Sequence, residues 1–312
     1  MTATTTAPIA APSVHTEKRP SGRMRAWATR APLLPALIFM IAVTQLPFVA
    51  TLVISFFDWN SLYPDARSFT GFGNYSEVLT DAALRKSVWT TILLTVTVVL
   101  ASLILGLVLA LLLDRKFRGR GVVRTLLIAP FLVVPVAAAL LWKHVLYNPE
   151  YGLLNGLLHY VGGPEPDWIS NTPLLAAEMS LVWQWTPFMM LILLAGLQSR
   201  DHQQIEAAKV DGASDWQVFR YLTLPHLRRY LELGALLGSI YIVQNFDAVF
   251  TITSGGLGTA NLPYTVYQSF YQAHENGLAS AAGVLVVIGS IIIATFALRV
   301  VSSLFREEVG RA

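Results

Sequence analysis

Three polar side chains, Tyr241, Gln244 and Asn245, stand at i, i+3 and i+4 within a long apolar stretch, a spacing that sets them on one helix face. Asp247 follows near the far end of that stretch, and Trp183, Gln184 and Trp185 cluster in another. Amides bond hydroxyls and ring faces pack against C–H surfaces, so this set suits a polyhydroxylated solute. A structural alternative stands beside it. Tryptophan and tyrosine collect at membrane interfaces, and buried amides often join helices. Nothing reads as catalytic. There are no cysteines, which removes disulfides, thiolate catalysis and Cys-based metal sites. The histidines are scattered without metal spacing or a Ser–His–Asp set, and His226 reads as loop surface. No G-x-x-x-x-G-K-[ST] run is present to cradle ATP phosphates. Gly119-Arg120-Gly121 and Gly255-Gly256-Leu257-Gly258 lack the Lys-Ser/Thr that would have to follow.

A second set lies in the segment 198–230, QSRDHQQIEAAKVDGASDWQVFRYLTLPHLRR. Ile205, Ala208 and Val210 give a small apolar face, and Asp211-Gly212 is a turn signal. Ser214 or Asp215 can then cap a second short helix whose Trp216, Phe219, Tyr221 and Leu222 run up to Pro225. Such a helix–turn–helix is a knob that a partner protein can grip. The pattern also fits an amphipathic helix lying on lipid headgroups.

The elements that must position both sets are membrane helices. Hydrophobic residues make up 54% of the 312, and charged ones only 13%, against about 25% in soluble domains. Six apolar stretches, about 33–57, 88–113, 122–147, 174–197, 231–252 and 278–304, are each long enough to cross a hydrocarbon core of about 30 Å. Helix is required there, because lipid offers the backbone no hydrogen-bond partner. Pro47, Pro130, Pro135 and Pro187 fall inside these stretches, where kinks often mark packed or cavity-lining regions. Residues 1–28 are polar and aperiodic and predict a disordered cytoplasmic tail. A cleaved signal peptide is the weaker reading, because the apolar run after them is as long as a membrane span and no small-residue cleavage site clearly follows it.

Charge orients the spans. Of 22 lysines and arginines, only Arg67, Arg85, Lys86 and Lys143 fall on one face, and the loops 148–173 and 253–277 there have none. The rest flank the tail, the connections after the second and fourth spans, and the C-terminus, so both termini are predicted to be cytoplasmic.

The order Glu206-Ala207-Ala208, Asp211-Gly212-Ala213, Phe219 and Leu224-Pro225 resembles the EAA loop of binding-protein-dependent ABC importer permeases. The resemblance runs from about 33 to 304 and is strongest to six-span sugar permeases of the maltose and glycerol-phosphate type. GFGNYSEVL at 71–79, TPFMMLILLAGLQ at 186–198 and NFDAVFTITSGGLGTA at 245–260 support it. Leu257 stands where the family usually has proline, which leaves the turn after Gly256 open. The stretch 261–299 looks most like permeases for sugar alcohols such as sorbitol and mannitol. The resemblance implies an all-α, multi-pass protein of the bacterial inner membrane, with a coupling helix between the fourth and fifth of six spans. Glu206 would meet a cytoplasmic ATPase dimer, and Gly212 would permit the sharp turn between the short helices. A second permease subunit and an extracytoplasmic solute-binding protein would complete the assembly. ATP and Mg would be held by the ATPase, leaving this chain non-catalytic and without a cofactor of its own. Membrane lipid is an expected partner and nucleic acid is not. The solute expected from this resemblance is a sugar alcohol, with maltose or trehalose as the alternative.

Other classes fit less well. An ion-coupled secondary transporter would show inverted repeats and charged midplane residues, which only Asp247 approaches. A membrane enzyme would need a convergent nucleophile, metal or acid–base set. A non-transporting scaffold shares the docking logic of the knob and is separated from a permease by a transport assay.

Overall fold

The computed structural model describes the backbone of residues 34–309, and the predicted tail at 1–28 lies outside them. The first helix, α1 (Leu34–Ile54), is apolar all round, with Pro47 inside it and none of its side chains buried. From Thr51 onward the chain forms one compact unit. The only sheet among the described residues is a pair of two-residue strands, β1 (Phe57–Asp58) and β2 (Ser68–Phe69), antiparallel with Phe57 opposite Phe69. Every other named element is helical: α2 (Gly73–Thr80), α3 (Ala82–Asp114), α4 (Arg120–Leu132), α5 (Pro135–Leu141), α6 (Leu153–Tyr160), α7 (Trp168–Asn171), α8 (Pro173–Gln198), α9 (His202–Val210), α10 (Asp215–Val218), α11 (Leu224–Val243), α12 (Leu262–Tyr267) and α13 (Asn276–Val309). A 3₁₀ turn at Pro64–Ala66 and wider π-turns at Trp142–Leu146, Phe219–Thr223, Val249–Thr253 and Gln268–Gln272 complete the backbone.

Among the described residues four helices are long and apolar enough to cross a membrane: α1, α3, α8 and the Asn276–Phe296 part of α13. They correspond to the first, second, fourth and sixth predicted spans. The other two do not form as single helices. The predicted span 122–147 is bent by 101° between α4 and α5. Pro130 lies inside the last turn of α4, which ends at Leu132, and Val134 before Pro135 takes φ −57° and ψ 135°, away from the helical region as a proline requires of its predecessor. The predicted span 231–252 stops at Val243, and helix resumes only around the π-turn at Val249–Thr253.

The core sits where α3, α8 and α11 meet. Leu94, Val98, Val99, Leu103, Leu181, Met189, Ala235 and Ile242 are all buried there. Lipid gives helices little hydrophobic reason to associate, so close packing must hold them. Gly106 shows how close: a Cβ there would lie 2.8 Å from Met189 Cβ and 2.9 Å from the Met190 backbone nitrogen. Three hydroxyls inside α3 are satisfied locally, whereas Ser102 Oγ is buried without a partner. Ser87, Thr91 and Thr95 each donate to the carbonyl four residues earlier, and Thr91 also accepts from the Leu262 N–H at 2.9 Å, which fixes α12 on α3. In the GFGNY stretch, buried Asn74 donates to the Ser55 and Phe57 carbonyls at 2.9 and 2.8 Å.

Candidate coupling knob and solute path

The 198–230 segment folds as the predicted helix–turn–helix, and its geometry follows from a few residues. Asp201 caps α9 by accepting from the Gln203 N–H at 2.9 Å. At its far end Gly212 takes φ +87°, a conformation that a Cβ disfavours. The N–H groups of Gly212 and Ala213 then donate to the carbonyls of Lys209 and Ala208 at 3.1 and 2.9 Å, the paired bonds of a Schellman stop. Ser214 starts the next helix with a capping box: its Oγ accepts from the Gln217 N–H, and Gln217 Oε1 accepts from the Ser214 N–H. Of the two predicted caps, Ser214 is the one used. Lys209 bridges the turn to Asp215 at 2.8 Å and holds the Asp215 carboxyl below its ordinary range, chiefly through that hydrogen bond.

Two expectations for this segment change. Val210 does not join Ile205 and Ala208 on an inward face; it is 87% exposed. The second short helix does not stop at Pro225. Helix continues from α10 through the π-turn at Phe219–Thr223 into α11, which fits a proline that cannot bond the carbonyl four residues back. Glu206, Ala207, Asp211, Gly212 and Pro225 are exposed, and Ala208, Ala213 and Phe219 are half-buried. Val210 and the rings of Trp216 and Tyr221 are exposed as well, so the knob presents apolar side chains in addition to the carboxylate of Glu206.

The knob is rooted on α8 and α11. Ser199 Oγ lies 3.0 Å from His226 Nε2 and 2.8 Å from the Tyr230 hydroxyl, and His226 Nε2 is 3.1 Å from the Gly196 carbonyl. His226 therefore joins helix ends rather than standing free as loop surface.

The predicted solute residues separate into two faces. Trp185 stacks on Tyr241 at 5.3 Å and meets Phe131 and Phe188 edge-on at 5.8 and 5.7 Å. This aromatic strip crosses α4, α8 and α11 beside the bend, and Tyr241 is 56% exposed. Trp183 turns the other way. It packs on Trp142 at 5.9 Å and lines a mostly apolar cavity of about 710 Å³.

Gln184 and Asn245 repair the two breaks. Gln184, buried, donates to the Val133 carbonyl at 3.0 Å, a group that the α4–α5 bend leaves without its helical partner. Asn245 Oδ1 accepts from the Ala248 N–H at 3.4 Å, and its carbonyl accepts from Asn261 Nδ2 at 2.6 Å. Because α11 ends at Val243, Tyr241, Gln244 and Asn245 do not share one helix face. Gln244 is exposed and donates back to the Ile240 carbonyl, and Asp247 is half-exposed where helix resumes.

Glu178 is the residue that sequence reasoning missed. It sits half-buried in α8, lines the 710 Å³ cavity and accepts from Thr97 Oγ1 at 2.7 Å. The signal was present, since a carboxylate within the span 174–197 is a candidate by position alone. In the loop after the π-turn at Val249–Thr253, Leu257 has φ +54°, which proline's ring forbids. The turn after Gly256 is therefore one that the family's usual proline could not adopt.

The family profile described as "Binding-protein-dependent transport system inner membrane component" matches residues 102–307, well over half of the chain. The chain belongs to this family. It is thus a multi-pass permease of the inner membrane. The permease is 35% identical over 292 residues to a probable ABC transporter permease protein of Sinorhizobium fredii, covering 92% of this chain and 93% of that one. It is 33% identical over 260 residues to the trehalose/maltose transport system permease protein MalF of Thermococcus litoralis, covering 82% and 87%. Against the trehalose transport system permease protein SugA of Mycobacterium tuberculosis the figure is 32% over 262 residues, with 84% of each chain covered. Among solved structures, a chain of the bacterial alginate ABC transporter in complex with alginate pentasaccharide-bound periplasmic protein superposes with TM-score 0.76 at 20% identity, covering 91% of the permease and 96% of that chain. That likeness shows the fold.

Proposed function

We propose that this permease is one membrane half of an ABC importer for a carbohydrate, with trehalose or maltose the leading solutes. The observation that carries the coupling part is the knob: a doubly capped helix–turn–helix on which Glu206 and the apolar side chains of Val210, Trp216 and Tyr221 are exposed. Its residue order resembles that of the EAA loop, and on this reading the face docks in a cleft of a cytoplasmic ATPase that holds ATP and Mg. The positive-inside charge pattern supports a cytoplasmic position for the knob and for both termini. A six-span count treats the α4–α5 bend and the α11 break as interrupted spans, as transporters often have where backbone lines a cavity. A second permease and an extracytoplasmic binding protein would complete the path.

The disaccharide reading draws on relatives named for trehalose and for trehalose/maltose transport. The aromatic strip of Trp185, Tyr241, Phe131 and Phe188 suits the C–H faces of sugar rings, and it stands ahead of Gln244, Asn245 and Asp247 as the contact surface. The sugar-alcohol reading of 261–299 ranks second. Uptake of labelled trehalose, maltose, sorbitol and mannitol with and without the gene tests both. Loss of disaccharide uptake alone supports the proposal, and loss of polyol uptake alone reverses the ranking. Unchanged uptake of all four refutes the solute assignment.

A further inference from the structure

Asp114 is the last residue of α3, where the helix dipole opposes a negative charge. Its partner explains the placement. Arg200, 13% exposed, reaches Asp114 Oδ2 with Nη2 at 2.5 Å. The same guanidinium gives Nη1 to Thr223 Oγ1 at 2.8 Å and Nε to the Leu197 carbonyl at 2.9 Å. Thr223, itself buried, belongs to the π-turn that joins the knob to α11. One side chain therefore binds the end of α3, the end of α8 and the root of α11.

The surroundings make that connection matter. Between the knob and α3 lies a cavity of about 740 Å³ whose walls include Leu111, Asp114, Arg200, Ile205, Phe219 and Thr223. Packed hydrocarbon does not fill this space, and Arg200 bridges it beside the buried apolar contacts of Ala110 and Leu113 with Leu197 and Leu227. A guanidinium bonded on three sides has a fixed fork geometry that a lysine cannot copy, and charge-assisted bonds are the stronger kind.

We propose that Arg200, with Asp114, is the joint that makes the knob and the 33-residue α3 move as one body. Arg200 is a positioning residue: it acts through Asp114, Thr223 and the Leu197 carbonyl, and it ties α3 to a knob that already follows directly from the end of α8 at Gln198. The inference rests on the proposed docking of an ATPase on the knob.

The test uses the full importer purified with its co-encoded subunits. Size-exclusion of the native complex comes first. If no ATPase travels with the permease, the proposed function itself fails, and this inference with it. Given a complex, proteoliposomes report molecules of trehalose or maltose moved per ATP. Arg200→Met and Asp114→Asn should keep the ATPase bound and hydrolysing while that ratio falls at least about fivefold, the lower range of ordinary coupling energies. The exchange Asp114→Arg with Arg200→Asp should restore much of it. A native ratio in both single variants overturns the proposal, and so does failure of the exchange to recover any coupling.

A distance measurement keeps the test valid if those variants misassemble. The chain is free of cysteine, so spin labels at Leu112→Cys and Val210→Cys, both on exposed positions, report knob-to-α3 separation with Arg200 intact. That distance should be the same with and without vanadate-trapped nucleotide. A change of about one helical turn, about 5 Å, would overturn the single-body assignment.

Discussion

The knob and the two interrupted spans are both departures from plain helix, yet they are built in opposite ways. In the knob the bonds that cap and turn its two short helices are local. Asp201, Gly212, Ser214 and Gln217 act on residues within a few positions of themselves. At the interruptions the bonds come from elsewhere in the chain: Gln184 crosses from α8 to the Val133 carbonyl, and Asn261 reaches the carbonyl of Asn245. A surface element that must meet a partner can be specified by its own few residues. A break in a membrane helix has to be repaired by whichever neighbour packs on it, because lipid cannot hydrogen-bond the freed backbone.

The largest expected effect falls on the knob's surface. Glu206→Arg places a cation where the proposal docks an anion, and should abolish uptake while leaving the purified permease folded. Uptake at the native rate would remove the coupling role. Next comes a repair residue. Gln184→Leu leaves the Val133 carbonyl unpaired, and should lower stability by about 1–3 kcal/mol, read as a drop in the thermal midpoint in detergent. A midpoint unchanged from native would mean that the bend does not depend on its distant partner. Gly212→Ala should cost about 1–2 kcal/mol through its left-handed backbone, but in the knob alone, so amide exchange should quicken in 202–218 and not in α8. Faster exchange in both regions would erase the contrast drawn here.

The smallest effect is a pH response. The hydrogen bond from Lys209 holds the folded-state value of Asp215 below the ordinary aspartate range. Its ion pair with Lys209 therefore contributes above that ordinary range and is lost as pH falls through the lower folded value. Exchange in the knob should be flat from pH 8 to 5 once corrected for intrinsic rates, and Asp215→Asn should remove any response to more acid conditions. A change centred near neutral pH would point to another group.

The same contrast explains what was legible in the sequence. The long apolar spans at α1, α3, α8 and α13 were readable because 20 or so apolar residues have few other uses. The knob was readable because its turn and cap residues carry their own instructions. The bend at 133–134 was half readable: Pro130 and Pro135 announced a kink but not 101°. The stop at Val243 had no proline or glycine to announce it, so Tyr241, Gln244 and Asn245 were placed on one continuous helix. Trp183 and Trp185 were grouped by sequence proximity, yet two residues along a helix turn side chains to nearly opposite faces.

The π-turn at Phe219–Thr223 has a consequence for how such a chain can change over time. A π-turn is an α-helix carrying one residue too many. Removing a single residue there would let ordinary helix close over the gap and would swing everything before it by about 100° relative to α11. The hydrophobic spans would remain intact, while Glu206 and its apolar neighbours would point away from their present direction. A deletion that would pass unnoticed in a loop would thus re-aim the whole docking face, and the spacing between Gly212 and Pro225 is fixed in length as firmly as in residue type.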